Sequence, residues 1–151
     1  MIEVREHTLE NGCRVLIRPT PGKPILATLA LVGWGGRDDA PTQAGLANLT
    51  SRLMTKGTAT RSAYEIAETL ESVGGGIDSS CDHDTIGLET EVVETDWRLA
   101  LDVLTDCLFH SAFPEEEFQK ERALVCAGIR RAEDDTFALT YKHFRRLLHR
   151  G

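Results

Sequence analysis

Residues 77–93 constrain the fold more than any other stretch. Ile86, Leu88, Thr90 and Val92 alternate with Gly87, Glu89, Glu91 and Val93, the two-residue period of a strand with one face on a core and the other toward water. Ile77 to Cys81 precedes this strand across Asp82-His83-Asp84, a connection that suits a hairpin of antiparallel neighbours. An isolated hairpin buries too little apolar surface to persist. Other elements must therefore cover its apolar face.

Helices supply that cover. From Thr42 to Thr55 the residues Leu46, Leu49, Leu53 and Met54 recur at three- and four-residue intervals, and Lys56-Gly57 is a stop signal, which predicts a helix. Ser62 with Glu65 has the spacing of a capping box for a second helix reaching Ser72, ended by Gly74-Gly75-Gly76. Asp96 is expected to cap a helix from Trp97 to about His110. Pro114 suits the first position of a longer one to about Asp134, with Phe137 to Leu148 helical after it. At the other end, His7 to Arg18 reads as a hairpin in which Asn11-Gly12 supplies the positive φ angles of a tight turn. The apolar run from Ile25 to Trp34 reads as a buried strand ended by glycines.

Adjacent strands with helices between and after them predict an α+β fold, helices packed on an antiparallel or mixed sheet. The 151 residues are 41% hydrophobic and 27% charged, which suits a single domain spanning 1–151 that buries roughly 70% of its unfolded surface. The chain stops at His149-Arg150-Gly151, just past a helix and with no closing strand, so it reads as a truncated portion of a longer chain.

Charge narrows the function classes. Seventeen Lys and Arg face 24 Asp and Glu, a formal charge of -7, and no basic stripe interleaved with aromatics is present, which argues against nucleic acid as a partner. The run Glu115-Glu116-Glu117 with Lys120-Glu121-Arg122 reads as a solvated helix start, where acids favour the helix dipole. Cys13, Cys81, Cys107 and Cys126 lack the spacing of a zinc knuckle or disulfide scaffold and read as buried or half-buried thiols. The first 25 residues contain no apolar core of a signal peptide. No segment reaches the length of a membrane span. Periplasm and cytoplasm of a bacterium both remain open.

Several landmarks keep order along the chain: Leu9-x-Asn11-Gly12-x-Arg14-Val15, Gly45-Leu46-Ala47, Lys56-Gly57-Thr58, Gly74-Gly75 and Glu121-Arg122. Together they resemble the amino-terminal domain of the insulinase, pitrilysin and mitochondrial-processing-peptidase family of zinc metallopeptidases. These enzymes carry an inverted zinc motif, His-x-x-Glu-His. In the family the motif lies between the Gly-Leu-Ala and Lys-Gly-Thr landmarks, on one helix whose two histidines share a metal.

Here the two histidine positions are Asn48 and Arg52, and the position of the glutamate that activates water is Ser51. The third ligand of the family, a later glutamate, falls on Gly128. Asparagine is a poor zinc ligand, arginine repels a cation and glycine has no side chain. Metal-assisted hydrolysis needs both the ligands and the base. The resemblance therefore implies a homologue with no metal, no cofactor and no catalysis by the family mechanism.

What the resemblance leaves is a framework. Glu121 precedes Gly128 by two helical turns on the same face, and in the resembling enzymes a glutamate here lies close to the metal. Arg52 is expected to fill part of the vacated space and pair with Glu121, one cation replacing another. Asp78, Ser79 and Ser80 correspond to the edge strand that takes an extended peptide as an added strand, a contact that needs no catalytic residue.

The leading expectation is a non-catalytic module that pairs with an active peptidase subunit or module, the two halves enclosing a peptide or unfolded polypeptide as a clamshell. A zinc metalloendopeptidase working through substitute ligands and a free-standing interaction domain are the alternatives. Cys81, His83 and Asp84 form the one imaginable substitute cluster. His7, His110, His143 and His149 have no partner at ligand spacing.

Overall fold

The computed structural model describes residues 3–148. Strands β1 (Arg5–Thr8) and β2 (Arg14–Ile17) form a separate antiparallel hairpin. Gly12 N donates to Leu9 O at 2.9 Å and Leu9 N to Cys13 O at 2.8 Å, so three residues bridge the pair. Gly12 alone takes a positive φ, +83°, and Asn11 does not. The expected Asn-Gly turn with two positive φ angles is thus replaced by a turn completed by a left-handed glycine, the usual solution for a three-residue loop. Asn11 Oδ1 accepts from Cys13 N at 3.0 Å instead.

Strands β3 (Ile25–Val32), β4 (Gly76–Cys81) and β5 (Ile86–Val93) make a second sheet in the order β3-β5-β4, antiparallel throughout. In the central strand, Ile86, Leu88, Thr90 and Val92 are buried while Glu89, Glu91 and Val93 are exposed. Leu88 lies between Ala30 and Ser79, and Glu89 between Leu29 and Asp78. The run from Ile25 is not the fully buried strand its apolarity predicts. It is an edge strand, with Leu29 56% and Leu31 60% exposed, because within residues 3–148 helices cover only one face of the sheet. Gly87 is buried although it belongs to the open face, since the side chains of Leu29 and Leu31 lie over it.

That covered face meets α1 (Leu46–Leu53), α2 (Ala63–Glu71) and α3 (Trp97–Phe109). Ile66 and Leu70 of α2, and Ala100, Val103, Leu104 and Cys107 of α3, close on β5 through Ile86, Leu88 and Val92. Burying a side chain of this size contributes about 1.5–3 kcal/mol. Helix α4 (Glu115–Asp134) packs on α1 and continues into α5 (Thr136–Leu148).

The helix ends follow the sequence in part. Ser62 and Glu65 form the expected reciprocal capping box. Asp96 makes no capping bond; a 3-10 turn over Glu94–Asp96 precedes α3, and the carboxylate accepts from Thr95 Oγ1 at 3.0 Å. Pro114 stands one residue before α4 rather than in it. Helix α1 starts later than Thr42 because Pro41 and Gly45 interrupt the segment with a 3-10 turn. Cys107 is buried and Cys81 partly so, but Cys13 and Cys126 are exposed, which corrects the expectation for those two thiols. His149 and the chain end lie outside the described residues.

Candidate functional site

Helix α1 is flanked at both ends by carboxylates that accept several hydrogen bonds. At its start the Asp39 carboxylate accepts from Gly45 N at 2.8 Å and from Ala47 N at 3.0 Å, supplying partners to amides that a helix start leaves free. Past its end, Thr58, Thr60 and Arg61 converge on Asp106 of α3, at 2.7, 2.9 and 2.6 Å from its Oδ2. Arg61 also grips Asp102 at 2.6 Å. Burial pushes the Asp106 carboxyl up, but its hydrogen bonds to the two threonines and Arg61 outweigh that and hold it below the usual range.

Between α1, β4 and α4 lies a cavity of about 280 Å³, lined among others by Asn48, Ser51, Arg52, Lys56, Ser79 and Glu121. Glu121 is 7% exposed. Arg52 Nη1 reaches its Oε2 at 3.3 Å, and Lys56 Nζ lies 3.5 Å from its Oε1. Arg52 Nε also donates to Asn48 Oδ1 at 3.3 Å, one helical turn back. Ser51 is almost fully buried, and its hydroxyl donates at 2.9 Å to the Asn48 carbonyl of its own helix. A buried carboxylate is tolerated when cations and hydrogen bonds compensate its desolvation, and here two cations share it.

The structure thus brings Asn48, Ser51, Arg52 and Glu121 to one cavity. Gly128 is not among its lining residues; it sits about 10 Å further along α4, where an added Cβ would meet nothing within 4 Å. Ser79 lines the cavity. Asp78 lines its rim but, by the alternation of β4, belongs with Ser80 to the open sheet face, where Asp78 stands opposite Glu89. Strand β4 is paired only with β5 among the described residues, so its other edge has no strand partner there.

Zinc does not fit this donor set. Asp78 and Cys81 also line the cavity, but Glu121 is already shared by an arginine and a lysine, no imidazole is present, and the two cations oppose a divalent ion. The substitute cluster is also dispersed: Cys81 donates to Asp82 O at 3.5 Å, Asp84 pairs with Arg37, and His83 lies 3.4 Å from Arg145. No group of three His, Cys, Asp or Glu among the described residues is placed to hold a metal.

Two features escaped the sequence reading. Lys56 follows Asn48 and Arg52 at four-residue spacing, a signal that all three project to one side. Asp102 and Asp106 are like charges at the same spacing on α3, an arrangement that is unfavourable unless a cation serves both. Arg61 is that cation.

A sequence model of the family described as Insulinase (Peptidase family M16) matches residues 14–149. The chain belongs to this family. Among insulinase-family relatives, an uncharacterized zinc protease of Bacillus subtilis, YmxG, is 32% identical over 131 residues, covering 87% of this chain and 32% of that protein. An uncharacterized zinc protease of Rickettsia bellii is 31% identical, over 90% of this chain and 33% of that protein. This chain therefore spans about a third of the length of such relatives.

Solved structures share the fold. A peptidase M16 inactive domain from Pseudomonas fluorescens superposes with a TM-score of 0.85 at 18% identity, covering 91% of this chain and 34% of that one. Pitrilysin superposes with a TM-score of 0.74 at 24% identity, covering 87% of this chain and 14% of that one.

Proposed function

We propose that this insulinase-family domain is a non-catalytic, peptide-binding module that works opposite an active peptidase copy. One observation carries the reading: the guanidinium of Arg52, at the position that the resemblance assigns to the family's second histidine, rests on the buried Glu121 at 3.3 Å. Ser51 is turned into its own helix, and the Glu121 carboxylate is engaged by Arg52 and Lys56, an arrangement that disfavours taking a proton from water. Binding needs less. The edge of β4 that has no strand partner among the described residues offers main-chain groups to an extended polypeptide.

A second reading, a zinc metalloendopeptidase, is favoured by the names of relatives about as long as three such chains. Metal analysis and peptide hydrolysis separate the two. The module reading expects less than about 0.1 zinc per chain and no chelator-sensitive cleavage, because a site lacking its ligands loses orders of magnitude in affinity. Stoichiometric zinc with turnover abolished by a chelator would establish the enzyme. The pairing is tested by affinity purification of the full chain from its native cell, which should recover a homologue with an intact His-x-x-Glu-His motif.

A further inference from the structure

Two cations, Arg52 and Lys56, and two acids, Glu121 and Asp78, line the cavity between α1, β4 and α4. Arg52 and Lys56 face a single carboxylate, Glu121. The other acid at the rim, Asp78, extends from β4 toward the opposite sheet face, across from Glu89. We propose that this cavity is a receptor for a carboxylate carried by an extended peptide, with Arg52 and Lys56 as its cationic partners; the proposal rests on the peptide-binding reading above.

The geometry leaves both cations with capacity to spare. Their contacts to Glu121, at 3.3 and 3.5 Å, are longer than the roughly 2.7–2.9 Å of a tight charge-assisted hydrogen bond. Arg52 has five N–H donors, of which one reaches Glu121 and one Asn48. Their side chains remain 48% and 36% exposed, against 9% for the side chain of Glu121. The internal carboxylate is sequestered and the cations are accessible.

Neutral donors complete the site. The Asn48 amide nitrogen and the hydroxyls of Thr55 and Ser79 have no hydrogen-bond partner among the described residues. A guanidinium presents paired N–H groups that match a carboxylate. Ser79 belongs to β4 itself, so a peptide lying along that edge would reach the cavity with its terminus or with an acidic side chain. A cation has no comparable welcome, because Arg52 and Lys56 repel it.

The test uses the full chain and a labelled octapeptide series read by fluorescence anisotropy. The series has three members: a peptide with a free C-terminal carboxylate, the same sequence as its C-terminal amide, and that amide with one internal glutamine replaced by glutamate. At least one carboxylate form should bind about tenfold or more tightly than the plain amide, the scale of a charge-assisted hydrogen bond. Which form gains identifies the source of the carboxylate.

Arg52→Gln should collapse that preference below about twofold, while Arg52→Lys, which keeps the charge but loses the paired donors, should retain an intermediate preference and controls for misfolding. Equal binding of acids and amide overturns the carboxylate receptor and leaves peptide docking intact. Absence of all peptide binding overturns docking instead. In that case a titration with sodium acetate, followed at the Arg52 Nε–H and Ser79 amide resonances, decides the cavity on its own. Saturable shifts support the receptor, and none overturn it.

Discussion

Replacing Asp106 with asparagine should destabilise the domain by about 2–3 kcal/mol at neutral pH. Its Oδ2 accepts at once from Thr58, Thr60 and Arg61, at 2.7, 2.9 and 2.6 Å, and the residue is 8% exposed. An amide oxygen can stay in place and accept from all three. What disappears is the charge, and a hydrogen bond to a charged group exceeds a neutral one by about 1 kcal/mol. Arg61 keeps Asp102 as a partner, which holds the loss near the sum for three bonds and no higher. For a chain of this length, each kcal/mol lowers Tm by about 2–4 °C, so calorimetry should show a fall of about 5–10 °C.

The pH dependence supplies a second check. The folded Asp106 carboxyl is held below its usual range, so folding favours the carboxylate. Its contribution is present above the unfolded value, about 3.9, and is lost as pH falls through the folded one. Urea titrations of the native chain and Asp106→Asn should therefore differ fully at pH 7 and converge toward pH 3. A difference under about 0.5 kcal/mol at pH 7, or one that stays constant into acid, would refute the role assigned to this carboxylate.

Other perturbations follow the same geometry. Ser62→Ala removes the reciprocal cap of α2 and should cost about 1 kcal/mol, read from the urea midpoint. Gly75→Ala would put a methyl 2.5 Å from Val92 Cγ1 and 2.6 Å from the Glu91 carbonyl oxygen; because one neighbour is backbone, a loss of about 2–4 kcal/mol is expected. Disulfide-exchange reagents at pH 8 should titrate the exposed Cys13 and Cys126 first. Cys107 is buried and its thiol is pushed up to about 11, so it should react only after denaturation.

Much of this architecture was legible in the chain. Periodicity located β5 and the helices because alternation and the three-to-four spacing report one-sided burial directly. The reading of Ile25 to Trp34 went astray for the same reason: a continuous apolar run says that a strand is sticky on both faces, and cannot say whether a second layer is present to cover the outer one. Asp96 and Pro114 missed by one interaction or one residue, since local competition from Thr95 and the turn at Phe113 decides the first helical residue. Of the candidate site, Asn48, Ser51 and Arg52 were singled out from the landmarks around them, and the fold brings them to one cavity. The approach of Lys56 to Glu121 and the convergence on Asp106 join residues more than 40 positions apart, which no local pattern encodes.

The buried Glu121 also limits how α1 and α4 can sit against one another. Sliding either helix by a single turn, about 5.4 Å, would carry the carboxylate away from Arg52 and Lys56 and strand a charge in the interior at a cost of several kcal/mol. Apolar side chains alone would tolerate such a slip far more cheaply, since one greasy ridge resembles the next. Glu121 thus acts as a register pin, selecting one axial alignment of two helices from the several that hydrophobic contact would accept.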